Sequence, residues 1–512
     1  NYDLTISPRF IEERGSGIAA EYRYLTEASK GNITASNIFN DRRFSNETNY
    51  QGNRWMAQWF HRSQIGSNLF IDIHTEGVSD NFFFENLNED ILGTKQKNYL
   101  TKRVSAKWIG ESLKLEGEIK EYEHLNPFTS EQYETRPNFS LIFQDRYKGI
   151  NFRLLSNYTK FAFDGSFNPF NKQKEITRKS IEPSLSYSKY FASSSFSIAI
   201  GVEDLKYDIN SSSFDRSSNW FETEYKVFFE NRSNQSFKSL NPTIKFILLN
   251  EESLPAESID SRLMGLNYNN IFLRNWYSGP DRFLNQDRVI LGVEHQNIDL
   301  KNNINLSFSI GKAFFLKDEY VVGIKNKRTS PLVMEYKQKL NSYLFTNGTL
   351  EIDSDLDKVR SSSFGLMYER DESKRIELRS VYKRLNPSIS NMPWFDNDLP
   401  ISQLELLAQW SISDQFMIFG KLQKDNEIHK SKDLSFGFQY SNCCLKVGLM
   451  KRKWKDQDYY TWHASPTEAF KALASGINPE LQRDNIYFFF ELKDIGRIGK
   501  EISEVISSTV LE

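Results

Sequence analysis

An apolar/polar alternation with a period of two recurs from one end of this chain to the other, and it constrains the fold more than any other feature. In "SSFSIAIGVED", Phe196, Ile198, Ile200 and Val202 alternate with Ser195, Ser197, Ala199 and Gly201. In "NINLSFSIG", Ile304, Leu306, Phe308 and Ile310 alternate with Asn303, Asn305, Ser307 and Ser309, and "LSFGFQY" repeats the pattern with Leu434, Phe436, Phe438 and Tyr440. Successive side chains of a strand point to opposite faces, so each stretch predicts a strand with one apolar and one polar face. Helical signals are few. "SPTEAFKALASG" offers Ser465 as N-cap, Pro466 at the first helical position, Glu468 completing a capping box and Gly476 as a stop, which predicts one short helix in a loop. The terminal "EISEVISSTV" reads equally as an amphipathic turn or a frayed tail.

Soluble sandwiches alternate too, so the character of the polar face matters. "ESLKLEGEIKEYE" sets Leu113, Leu115 and Ile119 against Lys114, Glu116, Glu118 and Lys120, and "KRIELRSVYKR" sets Ile376, Leu378 and Tyr382 against Glu377 and Arg379. Those polar faces meet water. Between strands lie short turns such as "ERGSG" (13–17) and "EASKGN" (27–32), and longer polar segments such as "FNDRRFSNETNYQGN" (39–53). The chain is polar, with a mean hydropathy of −0.58, yet it carries 40 Phe, 24 Tyr and 9 Trp, so it needs surfaces that want rings. Short turns at one end, long loops at the other and an aromatic-banded exterior fit a transmembrane barrel. At roughly 20 residues per strand and connection, the length gives on the order of two dozen strands. The expected fold is all-β, a large antiparallel transmembrane β-barrel of the outer membrane with about 25–26 strands. A closed sheet leaves no unpaired edge, which is what lets strands span lipid.

No run of 18 apolar residues exists, so no helical span is expected. The opening "NYDLTISPRF" lacks the regions of a signal peptide, so the chain is either not exported or a mature fragment beginning partway into its protein. The formal charge of −2 selects neither nucleic acid nor an acidic partner. Six histidines, His61, His74, His124, His295, His429 and His463, are scattered without a nucleophile motif, and no enzyme activity, metal or cofactor is expected. Rival readings are another large outer-membrane barrel, such as a receptor or diffusion porin, and a soluble surface β-protein.

The only cysteines, Cys443 and Cys444, are adjacent. A bridge between them would hold two Cα atoms about 3.8 Å apart, whereas unstrained bridges prefer roughly 5.5 Å. No C-x-x-C or H-x-x-x-H supplies further metal ligands. Two readings stay open, buried structural thiols or cysteines that bridge to something outside this chain.

Several segments together resemble the C-terminal barrel of the LptD family of outer-membrane lipopolysaccharide-assembly proteins. The longest is "SLPAESIDSRLMGLNYNNIFLRNWYSGPDRFLNQDRVILGVEHQ" (253–296), which is similar to a family pattern here carried by Leu254, Pro255, Asp260, Phe272, Asn275, Tyr277, Ser278, Gly279, Asp281, Arg282 and Gly292. "GFQYSNCCLKV" is similar to a family segment with paired cysteines, "FELKDIG" (490–496) to a C-terminal one, "IGKAFF" (310–315) to another, and "YDLTISPRFIEERGSGIAAEYRYL" (2–25) to the early strands. Leu445, Pro280, Lys312 and Asp494 depart from the family pattern.

The resemblance implies a barrel over 1–495 and a periplasmic tail over 496–512, with all or part of the first strand missing at the start. It implies that Cys443 and Cys444 each bridge to a cysteine of an N-terminal periplasmic jelly roll outside this chain. It further implies an LptE-like lipoprotein plug in the lumen, to which the inward faces bearing Lys114, Glu116, Glu118 and Lys120 would be suited, an LptA-like bridge delivering lipopolysaccharide through the absent domain, and insertion of that lipid through a lateral gate. Pro8, which cannot donate to a ladder, is the candidate weak point on the first strand, beside the ordinary reading of a proline at a bulge or strand end. Tyr487, Phe489 and Glu491 of "NIYFFFELK" are the candidates for the gate's other side. "KRKW" (451–454) is a candidate for lipid phosphates, beside the common occurrence of basic residues at membrane surfaces.

Overall fold

The computed structural model describes residues 1–11, 14–42, 44–45, 52–81, 83, 99–125, 132–163, 174–209, 212–251, 259–261, 263–281, 287–299, 301, 304–316, 328–371, 373–384, 401–426, 430–456, 481–492 and 496–498. The expected loop helix at 465–476, the segment 499–512, Arg282, His429 and His463 lie outside these residues.

Among the described residues, twenty-six strands follow one another, from β1 (Tyr2–Ile11) to β26 (Gly496–Ile498), in a single antiparallel sheet. Each pairs with its successor in the chain. The one interruption is at residue 228, where β12 (Ser212–Val227) stops and β13 (Phe229–Arg232) resumes, both laddered to β14 (Ser236–Glu251). The fold class is as expected, an all-β outer-membrane type of barrel with the anticipated number of strands. Its connections alternate in length: one end carries 26–28, 66–68, 110–112 and 442–444, while the other carries 39–53, 79–98 and 252–287.

Register sorts the side chains into two faces. On β1 and β2 (Gly15–Leu25), Ile6 pairs with Ala20, Leu4 with Tyr22 and Pro8 with Ile18, and this row points outward. Leu4 is 59% exposed and Phe10 88%, which would be untenable for such a row in water. The same holds on β23 (Lys430–Ser441), where Phe436 is 63% exposed. On β11 (Ser194–Ile209) the outward row runs Phe196, Ile198, Ile200, Val202 and then turns polar at Asp204 and Lys206 toward the long-loop end, which marks the limit of the apolar band.

The inward face is wet and charged. Of the four residues on β7 (Leu113–His124) expected to face inward, Glu116 takes Lys107 at 3.1 Å and Glu118 takes Arg103, both from β6 (Tyr99–Ile109). These charges pair across neighbouring strands, and such cross-strand pairs stabilise the sheet itself.

Among the described residues, no ladder joins β1 to β25 (Leu481–Leu492) or to β26. β26 covers only the short-turn end of β25, pairing Phe490 to Leu492 with Ile498 to Gly496, so strand pairing extends into the segment read above as a tail. Among these residues β1 is laddered on one side only, to β2.

Candidate functional site

Three features define the candidate site: the paired thiols, the first and last strands, and a segment folded inside the sheet. The thiols sit in the three-residue connection 442–444 between β23 and β24 (Leu445–Asp456). Asn442 shapes this turn, its Oδ1 accepting the N–H groups of Cys444 at 2.9 Å and Leu445 at 2.7 Å, and its own N–H donating to the Leu445 carbonyl at 2.8 Å. Both cysteines are exposed, with their sulfurs 2.8 Å apart, so the reading of buried structural thiols falls. They lie at the short-turn end. Asn1 lies at the same end, its main-chain nitrogen 2.7 Å from the Leu25 carbonyl oxygen.

Pro8 lies on the outward row of β1 and is exposed. Tyr487, Phe489 and Glu491 occupy β25 positions opposite Met450, Gly448 and Lys446 of β24.

Residues 259–281 run along the inner face of β10 to β17, a group that starts with β10 (Glu175–Tyr190) and ends with β17 (Leu332–Lys339). Ile271 and Trp276 of this segment are buried with Trp220, Ile247, Ile290 and Phe315 from the strands. The Trp276 Nε1–H donates to the Ile271 carbonyl at 3.1 Å, which lets a large polar ring be buried. Arg288, at the start of β15 (Arg288–Asp299), is fully buried and donates to the carbonyls of Leu273 at 2.7 Å and Arg274 at 2.6 Å.

The family-like residues concentrate where this segment ends. Asp281 is fully buried; its Oδ1 accepts from Arg178 Nη1 at 2.8 Å and from the Tyr207 hydroxyl, and its Oδ2 accepts from the N–H groups of Ile259 at 3.1 Å and Asp260 at 2.7 Å. Arg178 also reaches Asp260 Oδ1 at 2.8 Å. Asn275 holds the turn from within, accepting from the Tyr277 N–H at 3.1 Å and donating to the Gly279 carbonyl at 3.2 Å. The Ser278 hydroxyl reaches the Asp260 carbonyl at 3.5 Å. Gly279 is required by close approach, because a Cβ there would lie 2.6 Å from Asp260 Oδ1 and 2.7 Å from Ser261 Oγ. Of the motif singled out in the sequence, Asn275, Tyr277, Ser278, Gly279 and Asp281 therefore come together as an internal latch. Its wall partners, Arg178 and Tyr207, carried no sequence signal beyond a charge and a ring inside strand patterns.

The two loop carboxyls differ. Burial raises the Asp260 carboxyl to about 6, with the nearby Asp281 carboxylate adding to burial against the pull of Arg178. Burial also acts on Asp281, but the hydrogen bonds it accepts and the Arg178 charge outweigh it and hold that carboxyl at about 2. A carboxyl raised in the docked state holds a proton that the released state loses, so Asp260's contribution to docking is full below its ordinary value and is lost as pH rises through about 6. Asp281 has the opposite sign, its contribution being lost as pH falls below the ordinary carboxylate range. Protection of the backbone amides in 259–281, taken relative to the intrinsic exchange rate at each pH, is expected to be greater at pH 5 than at pH 7.5, and Asp260→Asn, which mimics the protonated form, should flatten that difference. Equal protection at both pH values in the unaltered chain would remove this assignment.

A second buried cluster escaped the sequence reading, which took 39–53 as a polar loop. Arg54 is fully buried; it donates to Asp80 through Nε at 2.9 Å and Nη2 at 2.8 Å, and to Asp41 through Nη1 at 3.0 Å. Arg14 of the β1–β2 hairpin reaches the same Asp41 oxygen at 2.7 Å, and the Phe44 ring lies 3.8 Å from the Arg54 guanidinium carbon.

On the outward face at the short-turn end, Tyr24 reaches across Gly31 to His61 Nδ1 at 2.5 Å, and His61 Nε2 meets Ser63 Oγ at 2.6 Å. A serine–histidine contact thus exists that the sequence did not disclose. The Ser63 hydroxyl is buried and shared with Ser29 Oγ at 2.6 Å, and Trp59 Nε1–H donates to the same Tyr24 hydroxyl at 3.2 Å. This is the composition of an interfacial aromatic belt.

Residues 52–416 match the family model for LPS transport system D, LptD. Proteins named LPS-assembly protein LptD are similar over most of the chain: that of Pseudomonas putida is 23% identical over 90% of this chain and 58% of its own length. That of Pseudoalteromonas atlantica is 23% identical over 88% and 59%. The chain therefore spans a little under three-fifths of the length of the curated relatives it matches. Among solved structures, the siderophore receptor PirA from Pseudomonas aeruginosa aligns with 88% of this chain and 74% of its own at 9% identity, with a TM-score of 0.31.

Proposed function

Since the chain belongs to the LptD family, we propose that it forms the outer-membrane barrel of a lipopolysaccharide translocon. Lipopolysaccharide joins several acyl chains to a long polar glycan, so no water-filled pore can pass it whole without exposing hydrocarbon to water. The path is divided: the glycan crosses the wet interior while the acyl chains leave sideways into the bilayer. The single observation that carries this reading is that, among the described residues, β1 of this family member is laddered only to β2 and to neither of the last two strands, since lateral exit needs a break in the ring of ladder bonds. Pro8 supports it, because proline can donate to neither edge.

Cys443 and Cys444 bridge to cysteines of a periplasmic domain that precedes residue 1. Their exposure, in a short turn between two strands, supports this. An LptE-like lipoprotein occupies the lumen left by the 259–281 segment, and an LptA-like bridge delivers lipid through the preceding domain. The relatives' names describe assembly, and no catalytic step is assigned.

The test uses the full-length protein from its native membrane, run on reducing and non-reducing gels, with Cys443 and Cys444 each replaced by serine. A mobility difference that shrinks in each variant and disappears in the double variant is expected. Identical mobility in all forms would leave the barrel intact and remove the covalent tie to a delivery domain.

A further inference from the structure

The wall that carries the internal latch has an outer face of a different chemistry. Along β9 (Ile150–Ala162), β10 and β11, the residues that alternate with buried Phe161, Ile176, Arg178, Leu205 and Tyr207 point out of the barrel. In its lower part this outward face is apolar, and Ile181, Leu185 and Ile200 are exposed as side chains in lipid are. Toward the long loops it turns charged within two residues, at Lys179 beyond Ile181, at Lys206 beyond Asp204, and at Lys160 beyond Tyr158. Cations set directly beyond the apolar band stand at the level of the outer-leaflet headgroups.

Register places the three lysines together. Lys179 stands directly opposite Lys206, and Lys160 lies opposite Thr177, one diagonal step from Lys179. Like charges facing each other across a strand pair weaken the sheet, so strand pairing alone does not select this arrangement. Each lysine leans to a carboxylate of its own: Lys160 to Glu175 at 3.2 Å, Lys179 to Asp208 at 3.4 Å and Lys206 to Asp215 at 3.9 Å. Asp204, just below Lys206, accepts from the Ser217 hydroxyl at 2.6 Å. Exposed pairs of this kind contribute little, so a doubly charged phosphate can take over the ammonium groups at small cost.

The inner side of the same stretch is fixed. Arg178, between Thr177 and Lys179, is held by Asp281, and Tyr207, between Lys206 and Asp208, reaches the same carboxylate. The lysine-bearing backbone thus belongs to a two-layered wall, which sets the spacing of the cations before any ligand arrives. Two strand spacings of ~4.8 Å and two residues of ~3.4 Å separate Lys160 from Lys206 by about 12 Å, with Lys179 between them. That span suits a headgroup with phosphates at both ends of a disaccharide and exceeds what one phosphodiester can bridge.

We propose that Lys160, Lys179 and Lys206 hold the two phosphates of an outer-leaflet glycolipid that resides on the barrel wall, its acyl chains lying along Ile181, Leu185 and Ile200. β9 to β11 ladder to neither β1 nor β25, so this lipid is a fixed neighbour of the barrel and its binding does not rest on the lateral-exit reading. Held there, it sets the height at which the latch-bearing wall sits in the membrane.

The test places a photoreactive phenylalanine at Thr177, among the three lysines, in the full-length protein purified in dodecyl maltoside. Capture is compared for diphosphorylated lipid A, its dephosphorylated form and phosphatidylglycerol, each added at the same concentration. The diphosphorylated form is expected to be captured about tenfold better than either of the others, the effect of clustered lysines on an anionic lipid. Lys179→Gln with Lys206→Gln should abolish that preference and leave capture of the dephosphorylated form unchanged, while Lys179→Arg with Lys206→Arg should keep it. Heat-dependent gel mobility verifies that each variant is folded. A preference that survives the glutamine changes, or equal capture of phosphatidylglycerol, means lipid of the surrounding annulus only and overturns the inference. So does an absence of capture in the unaltered chain.

Discussion

Arg178→Leu is expected to release the internal segment from the barrel wall. Asp281 is fully buried and depends on Arg178 Nη1 at 2.8 Å as its cationic partner. Removing one member of a buried pair leaves an uncompensated charge and costs about 3–5 kcal/mol. Protonation limits that loss, because Asp281 can rise from its depressed value and become neutral, at about 1.4 kcal/mol per pH unit traversed. The backbone N–H groups of Ile259 and Asp260 would still face it, so neutralisation weakens those contacts too. The consequence is read as protease cleavage within 259–281 and as entry of a bulky antibiotic into cells that carry the variant. Replacing both Arg178 and Asp281 with leucine should recover a large part of the loss, since it removes the stranded charge. If the single variant were as protected as the unaltered protein, the latch would be a bystander and the apolar contacts of Ile271 and Trp276 would hold the segment alone.

Arg54→Leu should have an effect of the same order at the outer end of the first hairpin. Arg54 links Asp41 and Asp80, which come from two different long connections, and Arg14 fastens the β1–β2 hairpin to the same Asp41. With Arg54 gone, two acidic groups face a buried, apolar space shared with Phe44 and Phe83, at a cost of about 3–5 kcal/mol. The loss should appear as a lower unfolding temperature in detergent and as faster exchange at residues 14–17. Burial would raise the Asp41 carboxyl, but the Phe44 N–H and the Arg14 and Arg54 side chains outweigh it and hold it low. Its contribution is therefore present above the ordinary carboxylate range and lost as pH falls below it. In the Arg54→Leu variant that acid-side loss should begin at a higher pH. An unchanged acid profile would show that Arg14 and the backbone alone set the Asp41 charge.

Much of this architecture is legible in one dimension. The period-two alternation of "SSFSIAIGVED" or "LSFGFQY" is a local property, because neighbouring side chains of a strand must point to opposite faces whatever the strand pairs with. Class, strand number and the short and long ends follow from that pattern and from turn chemistry. The resemblance to LptD also singled out Asn275, Gly279 and Asp281, although nothing in their spacing says what they touch.

Tertiary structure decided which polar groups are solvated and which are partners. Glu116 and Glu118, read as facing water, meet Lys107 and Arg103, and Arg54, in what read as the start of a strand after a polar loop, is among the most deeply buried side chains. Arg178 and Asp281 are 103 residues apart in the chain, and no periodic pattern links them. The same holds for the absence of a described ladder between β1 and β25. Alternation specifies the face of each residue but not its register against a neighbour, and register is settled only when every strand of the sheet is paired at once.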